Sequence, residues 1–173
     1  MNIFSGSAGP ASSSRLAYEL FKDAAGIETV PIHYKGGGPA IQDLLSGQVQ
    51  VMLIQGGGSI QQHVRTGKLV ALAVSSLTRS KFYPELPTIA DTYPGFETES
   101  WVAMFAPAAT PAPVLDRLHA TLNRIVADAG LRERLESQGC DVVGGTPEAL
   151  ARLVREDQAK WGRIIREKKI AID

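Results

Sequence analysis

Tyr34-Lys35-Gly36-Gly37-Gly38-Pro39-Ala40 is the stretch on which the reading of this chain turns. The run before it, Glu28 to Tyr34, is β-type. After the three glycines, Pro39 sets φ for the first position of a short helix whose apolar residues are Ile41, Leu44 and Leu45. The segment reads as strand, turn and helix start. The first amides of such a helix have no intrahelical partner and carry partial positive charge, and glycines let a ligand come close to the backbone. That combination makes an anion cradle, although a Gly-rich connection before a helix also serves as a plain tight turn.

The pattern recurs on either side. Upstream, Asn2 to Ser5 reads as the end of a strand that enters the small-residue loop Ser5 to Ser14. A helix with Leu16, Ala17, Leu20, Phe21 and Ala24 on one face follows, capped by one of Ser12 to Ser14 and stopped by Gly26. Downstream, Val49 to Ile54 reads as a strand and Gln55-Gly56-Gly57-Gly58-Ser59 as a third loop, with Ser59 placed to cap a helix that carries Ile60 and Val64. Leu69 to Val74 is an unbroken apolar run of the kind a central parallel strand shows. Repeated βα units put their strand-to-helix loops on one edge of a parallel sheet, where ligands of open α/β sheets bind. The three Gly/Ser loops thus form one expected site, with Lys35 as the nearby charge.

Beyond Leu77 the chain is punctuated by proline, and a lobe boundary is expected near residue 95. Trp101 to Ala106 reads as a buried strand. Thr110 and Pro111 then open a helix striped by Leu115, Leu118, Leu122, Ile125 and Val126. A shorter helix around Leu131 and Leu135, a strand from Cys140 to Val143, and a final helix from Gly144-Gly145-Thr146-Pro147-Glu148 to about Lys168 complete the reading. This part has more apolar helix face than its own strands can cover.

Composition narrows the function. The 173 residues are 44% hydrophobic and 21% charged, and the charges balance, so no broad field exists to hold nucleic acid or anionic lipid. Cys140 is the single cysteine and reads as a small buried apolar residue. The first residues have neither the basic nor the apolar region of an export signal. The three histidines stand in no metal spacing, and the glycine loops contain no phosphate-binding lysine motif, so no metal and no cofactor is expected. Arg132, Arg134, Arg152, Arg155, Arg163 and Arg166 read as solvated helix faces. The enzyme alternative is a serine hydrolase. Ser5-Gly6-Ser7-Ala8-Gly9 approximates a nucleophile elbow with Ser7 as nucleophile and His33, His63 or His119 as base, but Pro10 and the small residues after it lengthen a turn that should be sharp.

Taken together, Tyr34 to Ala40, Asp43-Leu44-Leu45-Ser46-Gly47-Gln48-Val49, Gly67-Lys68-Leu69, Leu86-Pro87-Thr88, Ser100-Trp101, Ala106-Pro107-Ala108 with Thr110-Pro111, and Gly144 to Glu148 closely resemble the Bug (TctC-like) family, the extracytoplasmic receptors of tripartite tricarboxylate transporters. The resemblance implies an α/β fold of the type II periplasmic-binding-protein kind: one βα lobe with a parallel sheet, residues 1–95, plus an incomplete second lobe, residues 96–173. It implies a non-catalytic receptor for a small carboxylate, partnered by membrane transporter subunits. The location implied is periplasmic, or cytoplasmic if the chain is expressed as given. The resemblance covers the family's C-terminal section; the alternative expectation is that Trp101 to Ala106 and the apolar faces of the last helices drive self-association or pairing with a separate N-terminal fragment. The family's ligand loops fall on Gly6, Ser7, Gly9, Ser12 and Ser13, and on Lys35, Gly36 and Gly37, with Ser59 in the third loop. The chain departs from the family pattern at Ala11 and Arg15, and in the stretch Ile54 to Ser59.

Overall fold

The computed structural model describes residues 3–54, 58–167 and Ile170. These residues form two compact units. The first holds Ser59–Ser100 with the chain up to residue 54 and from Ile164 onward, and the second holds Trp101–Arg163.

The first unit is built on strand β1 (Phe4–Ser7), helix α1 (Ser13–Ala25), strand β2 (Val30–His33), helix α2 (Gly37–Leu45), strand β3 (Val51–Met52) and helix α3 (Gly58–Arg65). The sheet order is β2-β1-β3, and both pairings are parallel. The crossovers run in opposite directions, so right-handed connections put α1 and α2 on opposite faces of β1. β2 contains Pro31, whose missing N–H is tolerated because β2 is an edge strand.

Local chemistry explains the element ends. Ser12 caps α1 by accepting from the Arg15 amide, and Gly26 closes the helix in the left-handed region, φ 63°, with its N–H turned back to Asp23 and Lys22. The core gathers Ala17 and Tyr18 of α1, Ala40 and Ile41 of α2, Val49, Phe96, Ile164 and Ile170. Phe21 sits edge-on to Tyr93 and Phe96 and tilted to Tyr18, with ring centroids 6.0–6.2 Å apart. Between residues 74 and 98 the chain folds onto itself. Val74 bridges Thr88, Thr88 and Asp91 form a reciprocal capping box around a 3-10 turn (Ile89–Asp91), and Ser75 exchanges hydrogen bonds with Thr98.

The second unit carries helices α4 (Ala112–Val126) and α5 (Ala129–Glu136) and most of α6 (Pro147–Glu167). Thr146 caps α6 through the Ala149 amide, and Asp128 caps α5 through the Leu131 amide. Arg132 fastens two neighbouring segments by donating from Nε to the Val126 carbonyl at 2.8 Å and from Nη2 to the Val142 carbonyl at 2.9 Å. It is therefore not the solvated charge that its spacing predicts. Trp101 Nε1 donates to Asp157 at 2.6 Å.

Several expected elements take other forms. Leu69 to Val74, Trp101 to Ala106 and Cys140 to Val143 are not strands among the described residues. A strand must pair its N–H and C=O groups with a neighbour. Here Val74 alone finds one, through its bridge to Thr88. The apolar side chains accordingly stand in solvent: Val70 is 79% exposed, Leu72 70%, Val102 97% and Phe105 66%. Cys140 is exposed for the same reason. α2 begins at Gly37, so Pro39 is its third residue, still in the first turn where a missing N–H costs nothing. α4 begins at Ala112 after Pro111, and no side chain caps it. No helix among the described residues is long and apolar enough to cross a membrane.

Candidate binding site at the strand ends

β1 runs two residues further than its sequence suggests, so Gly6 and Ser7 lie in the strand and not in the loop. Gly6 is glycine for packing. A Cβ there would stand 3.0 Å from Met52 Cγ, 3.1 Å from its Sδ and 3.2 Å from Val49 Cγ2. Ser7 is 4% exposed and its Oγ lies 2.7 Å from His33 Nδ1, across the register that pairs these two residues.

The loop after β1 is wired internally. The Gly9 carbonyl accepts from the Ser12 amide at 3.2 Å and from Ser12 Oγ at 2.8 Å, and Ser7 Oγ lies 3.3 Å from it. Ser14, buried in the first turn of α1, accepts from the Ala8 amide at 3.0 Å and pairs with Ser12 Oγ at 2.9 Å. Arg15 reaches back to the Pro10 carbonyl at 2.6 Å. Ser13 differs from these serines: it is exposed, and as the first residue of α1 it has an amide with no intrahelical acceptor.

The loop after β2 is stitched to the first one. The Tyr34 amide donates to the Ser7 carbonyl at 3.0 Å and the Gly36 amide to the Ala8 carbonyl at 2.9 Å. Gly36 has φ +122°, where a side chain is strained, so its glycine is needed for the turn while its N–H is already used. Gly37 and Gly38 open α2 with amides that lack intrahelical acceptors. Gly37 also lies beside the end of β3, its Cβ position being 4.0 Å from Ile54 Cδ1. Lys35 is exposed. Behind the turn, Tyr34 Oη donates to Asp43 Oδ2 at 2.7 Å, and this hydrogen bond pushes the tyrosine pKa up to about 12.

The predicted residues thus meet at the carboxyl ends of β1 and β2, but they divide by role. Among the described residues Ser13 and Gly37 present backbone donors without an acceptor, and Lys35 presents charge. Gly9, Ser12 and Gly36 hold the loops in shape, and Gly6 and Ser7 belong to the sheet. Ser59 is the second residue of α3 and not its cap, and the loop Gln55 to Gly57 lies outside the described residues. Gly38 and Ser14 are the additions the structure makes. Gly38 was legible in its glycine run, and Ser14 as the third of three serines. A cleft of about 290 Å³ lined by Gln61, Val64, Arg65, Phe82, Tyr83 and Glu85 contains none of the candidate residues. His33 is exposed, and its pKa lies below the ordinary value because burial and the Arg15 charge disfavour the imidazolium, against an opposing pull from Glu19.

A parallel sheet ordered 2-1-3 with two helix N-termini gathered at one edge is an open α/β arrangement of the kind that binds ligands outside its strand ends. The sequence model described as "Tripartite tricarboxylate transporter family receptor" matches residues 2–170, and the chain belongs to this family. Its structural neighbours are type II periplasmic binding proteins. The chain is 37% identical over 166 residues to a UPF0065 protein from the tcbD-tcbE intergenic region of Pseudomonas sp. strain P51, a match that covers 95% of this chain and 49% of the relative. It superposes on R. palustris Rpa4515 with adipate at a TM-score of 0.90 and 30% identity, covering 98% of this chain and 56% of that one. It also superposes on MatC from Rhodopseudomonas palustris with bound malate, with a TM-score of 0.84, 30% identity, and 94% and 56% covered. The chain spans about half the length of these proteins. The family is one of receptors and not of enzymes, so the Ser7–His33 pair is not a hydrolase dyad. Ser7 itself is buried in the sheet.

Proposed function

We propose that this chain supplies the ligand-gripping lobe, residues 1–95, and the returning elements of the opposite lobe, residues 96–173, of a receptor that delivers a small carboxylate to a tripartite tricarboxylate-type membrane transporter. The periplasm, the compartment of the family, is where this reading places it. The carboxylate is taken by the Ser13 amide and hydroxyl and by the Gly37 and Gly38 amides, with Lys35 adding charge and the Ser59 amide joining from the first turn of α3. Gly9, Ser12 and Gly36 shape the two loops, and Gly6 and Ser7 support them from β1. The observation that carries this reading is the Gly36–Ala8 hydrogen bond, which brings the N-termini of α1 and α2 to one edge. The adipate and malate bound in two solved structural neighbours support the ligand class.

Receptors of this architecture gain affinity by closing two lobes over one ligand. A chain spanning about half of such a protein is expected to bind weakly by itself, because it offers part of the contacts and leaves the ligand wet. The test is a thermal-shift screen of adipate, malate and citrate against this chain, beside a chimera preceded by the N-terminal half of the Pseudomonas relative. Ligand that binds the folded state raises the Tm. A rise in the chimera with little in the chain alone is expected. No rise in either would remove the carboxylate reading, and a tight one-to-one complex of the chain alone would remove the two-lobe requirement.

A second reading is favoured by the exposure of Val102, Met104 and Phe105 in an extended run. In a solution of this chain by itself, we infer that a second copy covers that run. Sedimentation is expected to show mass rising with concentration, and a monomer at every concentration would sink the idea.

A further inference from the structure

We propose that His33 is a ligand-contacting residue, with Ser7 as its positioning residue: Ser7 holds the imidazole in the tautomer that presents Nε2–H to the carboxylate. The inference rests on the carboxylate reading above.

Ser7 has one hydroxyl proton and two nearby acceptors. The Gly9 carbonyl is 3.3 Å away and already serves Ser12 Oγ and the Ser12 amide, whereas His33 Nδ1 is 2.7 Å away, the usual length of a strong hydroxyl bond. We assign the Ser7 proton to the Nδ1 contact because the Gly9 carbonyl already has two donors from Ser12; this makes Nδ1 the acceptor and leaves the remaining hydrogen of neutral His33 on Nε2. Nε2 has no hydrogen-bond partner among the described residues, and His33 as a whole is exposed. His33 ends β2 two residues before Lys35 and three before Gly36, so it stands at the same sheet edge as the two loops.

The arrangement also sets a direction with pH. Nε2–H is a donor in both the neutral and the cationic ring, but the cation attracts an anion more strongly. The charged groups that face His33 are Arg15 and Glu19, both on α1, while β1 contributes Ser7. Arg15 helps hold the free ring neutral near pH 7, and a bound carboxylate opposes it. Binding thus takes up a proton, and affinity rises as pH falls.

The test is a nuclear magnetic resonance titration of the full chain with adipate, followed at the His33 ring nitrogens and at the Gly37 and Gly38 amides, between about pH 5.5 and 8. The free protein is expected to show the Nε2–H tautomer. Adipate is expected to shift Nε2 together with the glycine amides, with affinity rising roughly threefold to tenfold toward the acid end. His33→Gln, which keeps a donor at the Nε2 position, is expected to retain binding without the pH dependence. His33→Asn, which keeps only the Nδ1 position, is expected to lose roughly tenfold. Ser7→Ala is expected to mix the tautomers and Ser7→Thr to restore the single one, a signature that a purely structural serine would not move. Shifts at Gly37 and Gly38 with none at His33 would overturn the inference and leave the carboxylate reading standing. No shift at any of them would overturn both.

Discussion

Tyr34 Oη donates to the Asp43 carboxylate over 2.7 Å and so ties the end of β2 to the middle of α2, with the Lys35 to Gly38 turn held between them. The acceptor is charged, so ionising the tyrosine would set two negative groups against each other. The hydrogen bond that ionisation would break, then desolvation and that opposition, push the pKa up to about 12.

Asp43→Asn is expected to bring the Tyr34 titration down toward the ordinary value of about 10. The difference in tyrosinate absorbance between each protein and its Tyr34→Phe partner reads this out. The consequence for stability has a definite sign. A folded pKa raised above the unfolded one gives a contribution that is fully present below about pH 10 and lost as the pH rises through about 12. Tyr34→Phe should therefore cost about 1 kcal/mol in urea denaturation at neutral pH, and the gap should shrink in alkali. Tyr34 is partly exposed, so solvent keeps the effect at that modest size.

Gly36 and Gly38 should respond to alanine to different degrees. Gly36 sits at φ +122°, where a side chain is strained, and Gly36→Ala is expected to cost about 1–3 kcal/mol. Gly38 is helical and, its chain neighbours aside, a Cβ there meets nothing within 4 Å, but it precedes Pro39, whose ring disfavours the helical region for a residue with a Cβ, so Gly38→Ala should stay within about 1 kcal/mol of neutral. The same methyl stands where a ligand would approach the open Gly38 amide. Gly38→Ala should thus weaken carboxylate binding while leaving the fold within about 1 kcal/mol of the parent, as paired denaturation and binding curves would show.

What could be read before the structure follows from how local each signal is. The βα repeats of the first unit, the Gly26 stop, the serine cap of α1 and the Thr146 cap of α6 are set by residues within a turn of one another, and they stand where their chemistry puts them. Leu69 to Val74 and Trp101 to Ala106 are apolar enough for strands, but a strand exists only through its neighbour, and no residue type in the run says whether one is there. The site divided in the same way. Glycine and serine runs mark the loops, yet the division of Ser12, Ser13 and Ser14 into a cap, an open donor and a brace depends on which of them faces Ala8. Ser7 and His33 are 26 residues apart, and β-pairing alone brings them together.

The serines of the first loop give a separable pair of outcomes. Ser14→Ala removes the acceptor of the Ala8 amide and one partner of Ser12, and is expected to cost about 1–2 kcal/mol. Ser13 is exposed and its side chain makes no hydrogen bond among the described residues, so Ser13→Ala should leave stability within about 0.5 kcal/mol. Its cost should appear in carboxylate affinity instead. A stability loss at Ser13 equal to that at Ser14 would contradict the division of roles.

Gly6 tests whether a glycine next to the site serves the ligand or the sheet. Its Cβ position lies within 3.2 Å of two groups of different compliance: the unbranched Met52, which can swing aside, and Val49, which is 1% exposed and branched. Gly6→Ala should therefore overpack the sheet by about 1–2 kcal/mol, because Val49 cannot yield. Shortening the other neighbour should relieve part of this. The double variant Gly6→Ala with Met52→Ala is expected to be less destabilised than the sum of the two single changes, while purely additive costs would mean that Met52 is not what Gly6 makes room for. Carboxylate affinity, measured where both proteins are folded, should be unchanged by Gly6→Ala. The glycine then belongs to the contact between β1 and β3, and the ligand meets the sheet only through the loops that leave it.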